Sequence, residues 1–256
     1  MRSPSPYTSA PPGPLELLYR DEGMAIVNKP SGLAVHKGMD RASDNVLSRL
    51  HRQLDTWVWP SHRLDRATSG ALVFALNESA ASVLARAFQD GLADKTYLAW
   101  TRGAPEPREG AIDHPVPKSE DSDDRVEART RYRTVAIAND VRTSAPRYGL
   151  VVCHPETGRY HQIRRHLRHV HCPILGDTTY GDGKENKALR AHGDLRRLAL
   201  HALALSIPHW SEASRRVHVV APIPEDLRAP MRAYGVTDEA LDAIEQEARA
   251  STPSGV

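Results

Sequence analysis

Cysteine is nearly absent: the 256 residues hold only Cys153 and Cys172, too few for a disulfide framework. Long apolar runs are missing as well. No stretch of about 18 apolar residues occurs, which excludes a membrane-spanning helix, and Met1 to Pro14 has no apolar stretch resembling a signal peptide. Nor does charge of one sign dominate. The net charge is +2 and the pI near 8.6, so overall charge does not mark a nucleic-acid binder and only its local distribution can. At 40% apolar residues the chain is able to bury a sizeable core, and the composition points neither to disorder nor to a fibre. The expectation is a soluble, cytoplasmic protein with one main domain.

Taken in order, residues 1–14 are rich in Pro and Ser and read as a mobile tail. Leu15 to Tyr19 and Met24 to Val27 are short apolar runs broken by Asp21-Glu22-Gly23, the pattern of a hairpin. Asn28-Lys29-Pro30-Ser31-Gly32-Leu33-Ala34-Val35-His36 follows as a turn into an extended segment. Ser43-Asp44 opens a helix with Val46, Leu47, Leu50 and Leu54 on one face. Asn77 caps a second helix that Gly91 ends. Lys95 to Trp100, Arg131 to Ala138 and Tyr148 to His154 read as strands. Between Arg102 and Arg129 the prolines and the acidic cluster Glu120, Asp121, Asp123, Asp124 indicate a solvated loop rather than a metal site. Gly176 to Lys187 is turn-rich and yields no element on physical grounds. Arg197 to Ile207 and Arg216 to Val220 complete the strands, and two helices follow, Pro224 to Tyr234 and Asp238 to Ala248.

Two stretches stand out chemically. His62-Arg63-Leu64-Asp65-Arg66-Ala67-Thr68-Ser69-Gly70 sets one carboxylate between two arginines, with turn-like Thr-Ser-Gly behind it and the apolar run Ala71 to Leu76 after. A loop fixed on a buried strand is a good mount for a reacting group. Flanking guanidiniums favour the charged, nucleophilic form of a carboxylate. Alone, the string serves equally well as a surface Asp–Arg pair with a cap. The second stretch, Gly158-Arg159-Tyr160-His161-Gln162-Ile163-Arg164-Arg165-His166-Leu167-Arg168-His169-Val170-His171, contains no acid. Ile163, Leu167 and Val170 recur at helical spacing and would face the core. That leaves a basic flank suited to phosphates, or an amphipathic surface helix paired with acids elsewhere. His166 and His169 share a face, but no zinc-ligand spacing is completed, so no metal is expected.

The first string resembles the His-Arg-Leu-Asp-x-x-Thr-Ser-Gly signature of RluA-type RNA pseudouridine synthases, with every fixed position present. Asn28 to His36 resembles the family's Asn-Lys-Pro-x-Gly-x-x-Val-His stretch, and Lys95 to Ala99 its Lys-x-Tyr-Leu-Ala element. Gly158 to Leu167 matches Gly-Arg-x-His-Gln-[Ile/Leu]-Arg-x-His-Leu, and Pro173 to Asp177 the following Pro-Ile-x-Gly-Asp. Gly-Asp-Thr-Thr-x-Gly-Asp at 176–182 narrows the likeness to a tRNA-acting branch. One departure is His209-Trp210-Ser211-Glu212-Ala213, which stands where the family has a His-Pro-x-Thr-Gly turn.

The resemblance implies a fold of the α+β class, with a large mixed, mostly antiparallel central sheet and flanking helices. The catalytic domain would span 15–236, followed by a C-terminal helix and tail at 237–256. It implies that Asp65 is the catalytic aspartate, supported by Arg164 as its ion-pair partner, by Tyr97 against the target base and by Arg63 in the space the base vacates. His62, Arg159, His161, Arg165 and Arg168 would contact RNA. The implied reaction detaches uracil from C1′ and rejoins it through C5. It needs no outside group, so no cofactor is expected. Asp65 has three routes open: attack on C1′, attack on C6, or action as a base toward the sugar. The substrate expected is a tRNA uridine in the acceptor and T-stem region, conventionally numbered about 65, and the enzyme is expected to act as a monomer. A ribosomal RNA synthase and a non-catalytic RNA-binding protein are the alternatives.

Overall fold

The computed structural model describes residues 10–36, 44–120, 122–140 and 146–251. Most of the expected N-terminal tail therefore lies outside the described residues. So do Ser43, Asp121, part of the connection after Asn139 and the last five residues. The strands are β1 (Glu16–Arg20), β2 (Met24–Lys29), β3 (Trp59–Pro60), β4 (Ser69–Ala75), β5 (Asp94–Arg102), β6 (Glu109–Asp113), β7 (Val116–Pro117), β8 (Arg125–Val126), β9 (Arg129–Asn139), β10 (Pro146–Pro155), β11 (Leu200–Pro208) and β12 (Arg216–Val220). The helices are α1 (Val46–Leu54), α2 (Glu78–Gln89), α3 (Gln162–His169), α4 (Gly183–Gly193), α5 (Glu225–Ala233) and α6 (Asp238–Ala250). The class is α+β, a large mixed, mostly antiparallel sheet with flanking helices, as expected.

The chain divides into two compact units. One contains Thr96–His201 and Ile223–Gln246, and the other contains 10–95, Ala202–Pro222 and 247–251. In the latter, β1 and β2 form the expected antiparallel hairpin, and β2 pairs antiparallel with β4 from Met24↔Ala75 to Lys29↔Gly70. Every residue of β4 is buried. That is why the Leu72-Val73-Phe74 run carries no polar alternation. A core of Met24, Ile26, Val73, Ala80, Leu84, Leu205, Ile207 and Val219 joins β2, β4 and α2 to the strands that return late in the chain. Asn77 caps α2 by accepting from the Ala80 amide at 2.8 Å. The first helix begins later than expected. Its cap is Asn45, which accepts from the Ser48 amide at 2.9 Å while Ser48 Oγ accepts from the Asn45 amide at 3.1 Å. This reciprocal box satisfies two amides that Ser43-Asp44 would have left open.

Gly70 corrects the reading of Thr-Ser-Gly as turn chemistry. The turn closes earlier, by the Thr68 amide on the Asp65 carbonyl at 3.0 Å, and Ser69 and Gly70 already belong to β4. Gly70 has φ +113°, and a Cβ there would lie 2.2 Å from the carbonyl oxygen of Ala202. Only glycine allows the neighbouring backbone this close.

In the other unit, β10 lies between β5 and β9, antiparallel to both, and β9 carries β6 on its far side. The region from Arg102 to Arg129 is thus not one loop. It contains β6 and the small β7–β8 hairpin. Trp100, Tyr148 and Tyr234 meet edge to face, with ring centres 5.3 to 5.8 Å apart, and anchor the buried side of this sheet. Tyr148 Oη donates to Glu185 Oε1 at 2.5 Å, fastening α4 to β10. Burial pushes the Tyr148 phenol above its ordinary range, and the Glu185 carboxylate reinforces the effect.

Candidate active site

The aspartate loop is built by the chain on both sides of it. Lys29 is fully buried, and its Nζ donates to the carbonyls of Pro30 (2.9 Å), Leu33 (2.8 Å) and Arg66 (3.1 Å). The Gly32 amide also donates to the Arg66 carbonyl at 2.9 Å, Arg66 Nε donates back to the Gly32 carbonyl at 2.9 Å, and Ser31 Oγ donates to the Ala67 carbonyl at 2.7 Å. The Asn28-to-Gly32 turn is therefore the cradle of the loop that bears Asp65. A buried ammonium persists only when its donors are taken up, and here they fix the backbone beside the carboxylate. Asp65 is half-buried, with Leu64 and Ala67 inward on either side and Arg63 and Arg66 exposed. The carboxylate is thus carried on a backbone held from both sides.

His62 sits at the back of the same loop. Its ring stacks on Phe88 with centres 4.4 Å apart, and Nε2 accepts from the Val73 amide at 3.2 Å. Burial, helped by the nearby Lys95 charge, pushes its imidazole down to about 3. At neutral pH it enters the site as a neutral packed ring.

In the other unit, α3 is clamped to β9 by two polar side chains. Gln162 Nε2 donates to the Arg129 carbonyl and to Thr130 Oγ1, both at 3.0 Å. His166 lies fully buried, with Nδ1 at 2.9 Å from Thr130 Oγ1 and Nε2 at 2.9 Å from the His114 carbonyl. The helix does not keep all its basic residues outside, as the periodicity indicated. Gln162, Arg164 and His166 are buried with Ile163 and Leu167, while Arg165 is half-buried and Arg168 and His169 are exposed. Polar residues win inward positions here because each meets a matched partner.

Arg164 is the clearest case. Its Nε donates to Asp177 Oδ2 at 2.8 Å and its Nη2 to Oδ1 at 2.9 Å, a two-pronged pair with both side chains buried. Asp177 also accepts from the amides of Thr179 (2.9 Å) and Tyr180 (3.0 Å). Burial works to raise the Asp177 carboxyl, but the Arg164 guanidinium and the two amides outweigh it and hold the group below its usual range. Asn186 secures the turn, donating to the Asp177 carbonyl and accepting from the Gly176 amide, each at 2.9 Å. Asp177 lies within Pro-Ile-x-Gly-Asp, and the motif alone gave it no task.

The expected site residues thus fall into two groups. His62, Arg63 and Asp65 share one loop in one unit. In the other, Arg164, His161 and Arg165 gather around Tyr180. Tyr97 is half-buried in β5 opposite Cys153, Arg159 is exposed with Nε on the Glu127 carbonyl at 3.3 Å, and Arg168 is exposed. Among the described residues no group of three His, Cys, Asp or Glu is placed to hold a metal ion, and no helix is long and apolar enough to cross a membrane.

Residues 23–169 match the family model described as RNA pseudouridylate synthase. The chain belongs to the RNA pseudouridylate synthase family. It is therefore an enzyme of the isomerase class. It is 41% identical over 210 residues to tRNA pseudouridine synthase C of Pasteurella multocida, covering 76% of this chain and 86% of that one. To tRNA pseudouridine synthase C of Haemophilus influenzae it is 36% identical over 236 residues, covering 86% and 98%. Among solved structures, human RNA pseudouridylate synthase domain containing 1 superposes with a TM-score of 0.72 at 24% identity over 100% of both chains. Human RNA pseudouridylate synthase domain containing 4 gives 0.68 at 24% identity over 86% of this chain and 92% of that one. These two place the fold.

Proposed function

We propose that this family member is a tRNA pseudouridine synthase, acting as a monomer in the cytoplasm on a uridine of the acceptor and T-stem region, with Asp65 as the catalytic carboxylate. The observation that carries the reading is the mounting of Asp65: a half-buried carboxylate on a backbone pinned by Lys29, Ser31 and Gly32. The names of the tRNA-acting relatives supply the RNA class.

The chemistry is an isomerisation. The C1′–N1 bond breaks, C1′ joins C5, the C5 proton leaves and N1 gains one, so atoms balance without a cofactor. The sugar becomes electron-poor at C1′, the demand that carboxylates meet in glycoside hydrolysis. Hydrolases add a second carboxylate to activate water, whereas this reaction requires the detached base to stay and water to be kept out. A uridine in a stem must first be extruded, at a cost of a few kcal/mol of stacking. Tyr97 would rest against the extruded base and Arg63 would occupy the gap it leaves. Arg164, held by Asp177, is the supporting guanidinium. Its pairing with Asp65 belongs to the proposal on the strength of the family motif. Arg159, Arg165 and Arg168 would contact backbone phosphates, reading shape more than sequence.

Mapping pseudouridine across total RNA from cells with and without the gene tests this reading. Loss of one tRNA site is the expected result. Loss of a ribosomal site with an unchanged tRNA profile would replace it with a ribosomal substrate, and loss of no site would reject catalysis.

A further inference from the structure

Tyr180 meets two arginines, each with Cζ 5.0 Å from the centre of its ring. One of them, Arg165, also lies 5.6 Å from the Tyr160 ring. His161 closes the group. Its ring stacks on Tyr160 at 3.8 Å, and its Nδ1 lies 3.1 Å from Tyr180 Oη. The two guanidiniums are treated differently. Arg164 is matched by the Asp177 carboxylate. Arg165 has a buried Nε with no hydrogen-bond partner, and among the described residues no carboxylate is paired with it. Tyr160, Arg165 and Tyr180 occupy the positions left open in Gly-Arg-x-His-Gln-Ile-Arg-x-His-Leu and in Gly-Asp-Thr-Thr-x-Gly-Asp. The motifs as quoted above therefore do not specify the stack.

We propose that Arg165, braced by the rings of Tyr160 and Tyr180, is a preset fork for one phosphodiester of the RNA backbone, with the two tyrosines as positioning residues. The proposal deepens the RNA-modifying reading and rests on it. A guanidinium packed on aromatic faces has already lost much of its rotamer freedom, so less is lost when an anion arrives. Among the described residues no carboxylate is paired with it, and its planar edge suits the two free oxygens of a phosphodiester. An ammonium could supply the charge but neither the fork nor the stack.

The test is binding of an unmodified tRNA transcript over a series of salt concentrations, alongside pseudouridine formation by the same proteins. Arg165→Ala should weaken binding about tenfold and reduce the slope of log affinity against log salt by about one. Arg165→Lys should keep the slope but bind about threefold more weakly, because charge survives and the fork does not. A Tyr160→Leu and Tyr180→Leu double variant should behave as Arg165→Lys does. An unaltered slope in Arg165→Ala, or lysine binding as tightly as arginine, would overturn the proposal. Arg165→Lys preserves bulk and charge, so its result stands even if the alanine or double variant folds poorly. A failed fork with normal turnover leaves the enzymatic reading intact. Absent turnover by the wild-type protein would sink that reading while the binding arm still decides on the fork.

Discussion

Two buried charged groups at the scale of single residues each hold one of the two groups of candidate residues in shape, and both were overlooked in the sequence for the same reason. Lys29 and Asp177 stand inside motifs, but a motif gives no sign of which members face inward. Lys29→Met should cost about 3 kcal/mol of stability in urea unfolding, since it takes the ammonium donor from the Pro30 and Leu33 carbonyls and leaves the Arg66 carbonyl with the Gly32 amide. Asp177→Asn should cost a similar amount, about 3 kcal/mol, because buried Arg164 loses the charged carboxylate that takes its Nε and Nη2. The pH dependence follows from the depressed Asp177 carboxyl. The unfolded chain takes up the proton near the ordinary value of about 4 and the native protein only below it. The contribution of Asp177 is therefore full above that value and is lost as pH falls through the native one. Unfolding measured across acid pH should show that loss in the wild type, and the Asn variant should lack it. Asp65 is singled out in the sequence because its neighbours are unusual as a string. His62, which the family resemblance places among the RNA contacts, is half-buried and packs on Phe88 as a neutral ring.

At the scale of elements, the sequence announced those whose buried faces are apolar and concealed those whose buried faces are polar. β2, β4, β5 and α2 follow from runs of Val, Ile, Leu and Ala. α4 escaped because its buried residues are Glu185, Asn186 and Leu189, so no apolar stripe marks it. Its start at Asp182, which accepts from the Lys184 and Glu185 amides at 2.9 and 3.2 Å, was the available signal. β6 escaped because only Ile112 is buried in it and prolines lie nearby. In α3, Arg164 and His166 turn inward against a pattern that put all basic residues outside, because Asp177, Thr130 and the His114 carbonyl wait for them. The glycine of Thr-Ser-Gly answers to the sheet and not to a turn. Gly70→Ala should destabilise by about 3 kcal/mol or more, since both φ and the Ala202 carbonyl forbid a Cβ. A urea midpoint unchanged by that substitution would remove the argument for a forced close approach.

For the whole molecule, the proposed binding of RNA rests on a local concentration of arginine and not on the weak net charge. Arg168→Ala, on the exposed flank of α3, should reduce the salt slope of tRNA binding by about one without altering stability. The class of fold and the family were readable from a few short motifs, which also single out Asp65 as the proposed catalytic carboxylate. The internal wiring of the site was not, because it depends on which side chains meet after folding. The central claim is that Asp65 carries the isomerisation. Its most direct test is single-turnover pseudouridine formation on a tRNA transcript by the wild-type protein and by Asp65→Asn, with tRNA affinity measured for both. The account predicts no product from the variant and an affinity within a few fold of wild type, since the substitution removes no phosphate contact. Wild-type turnover by Asp65→Asn would contradict it.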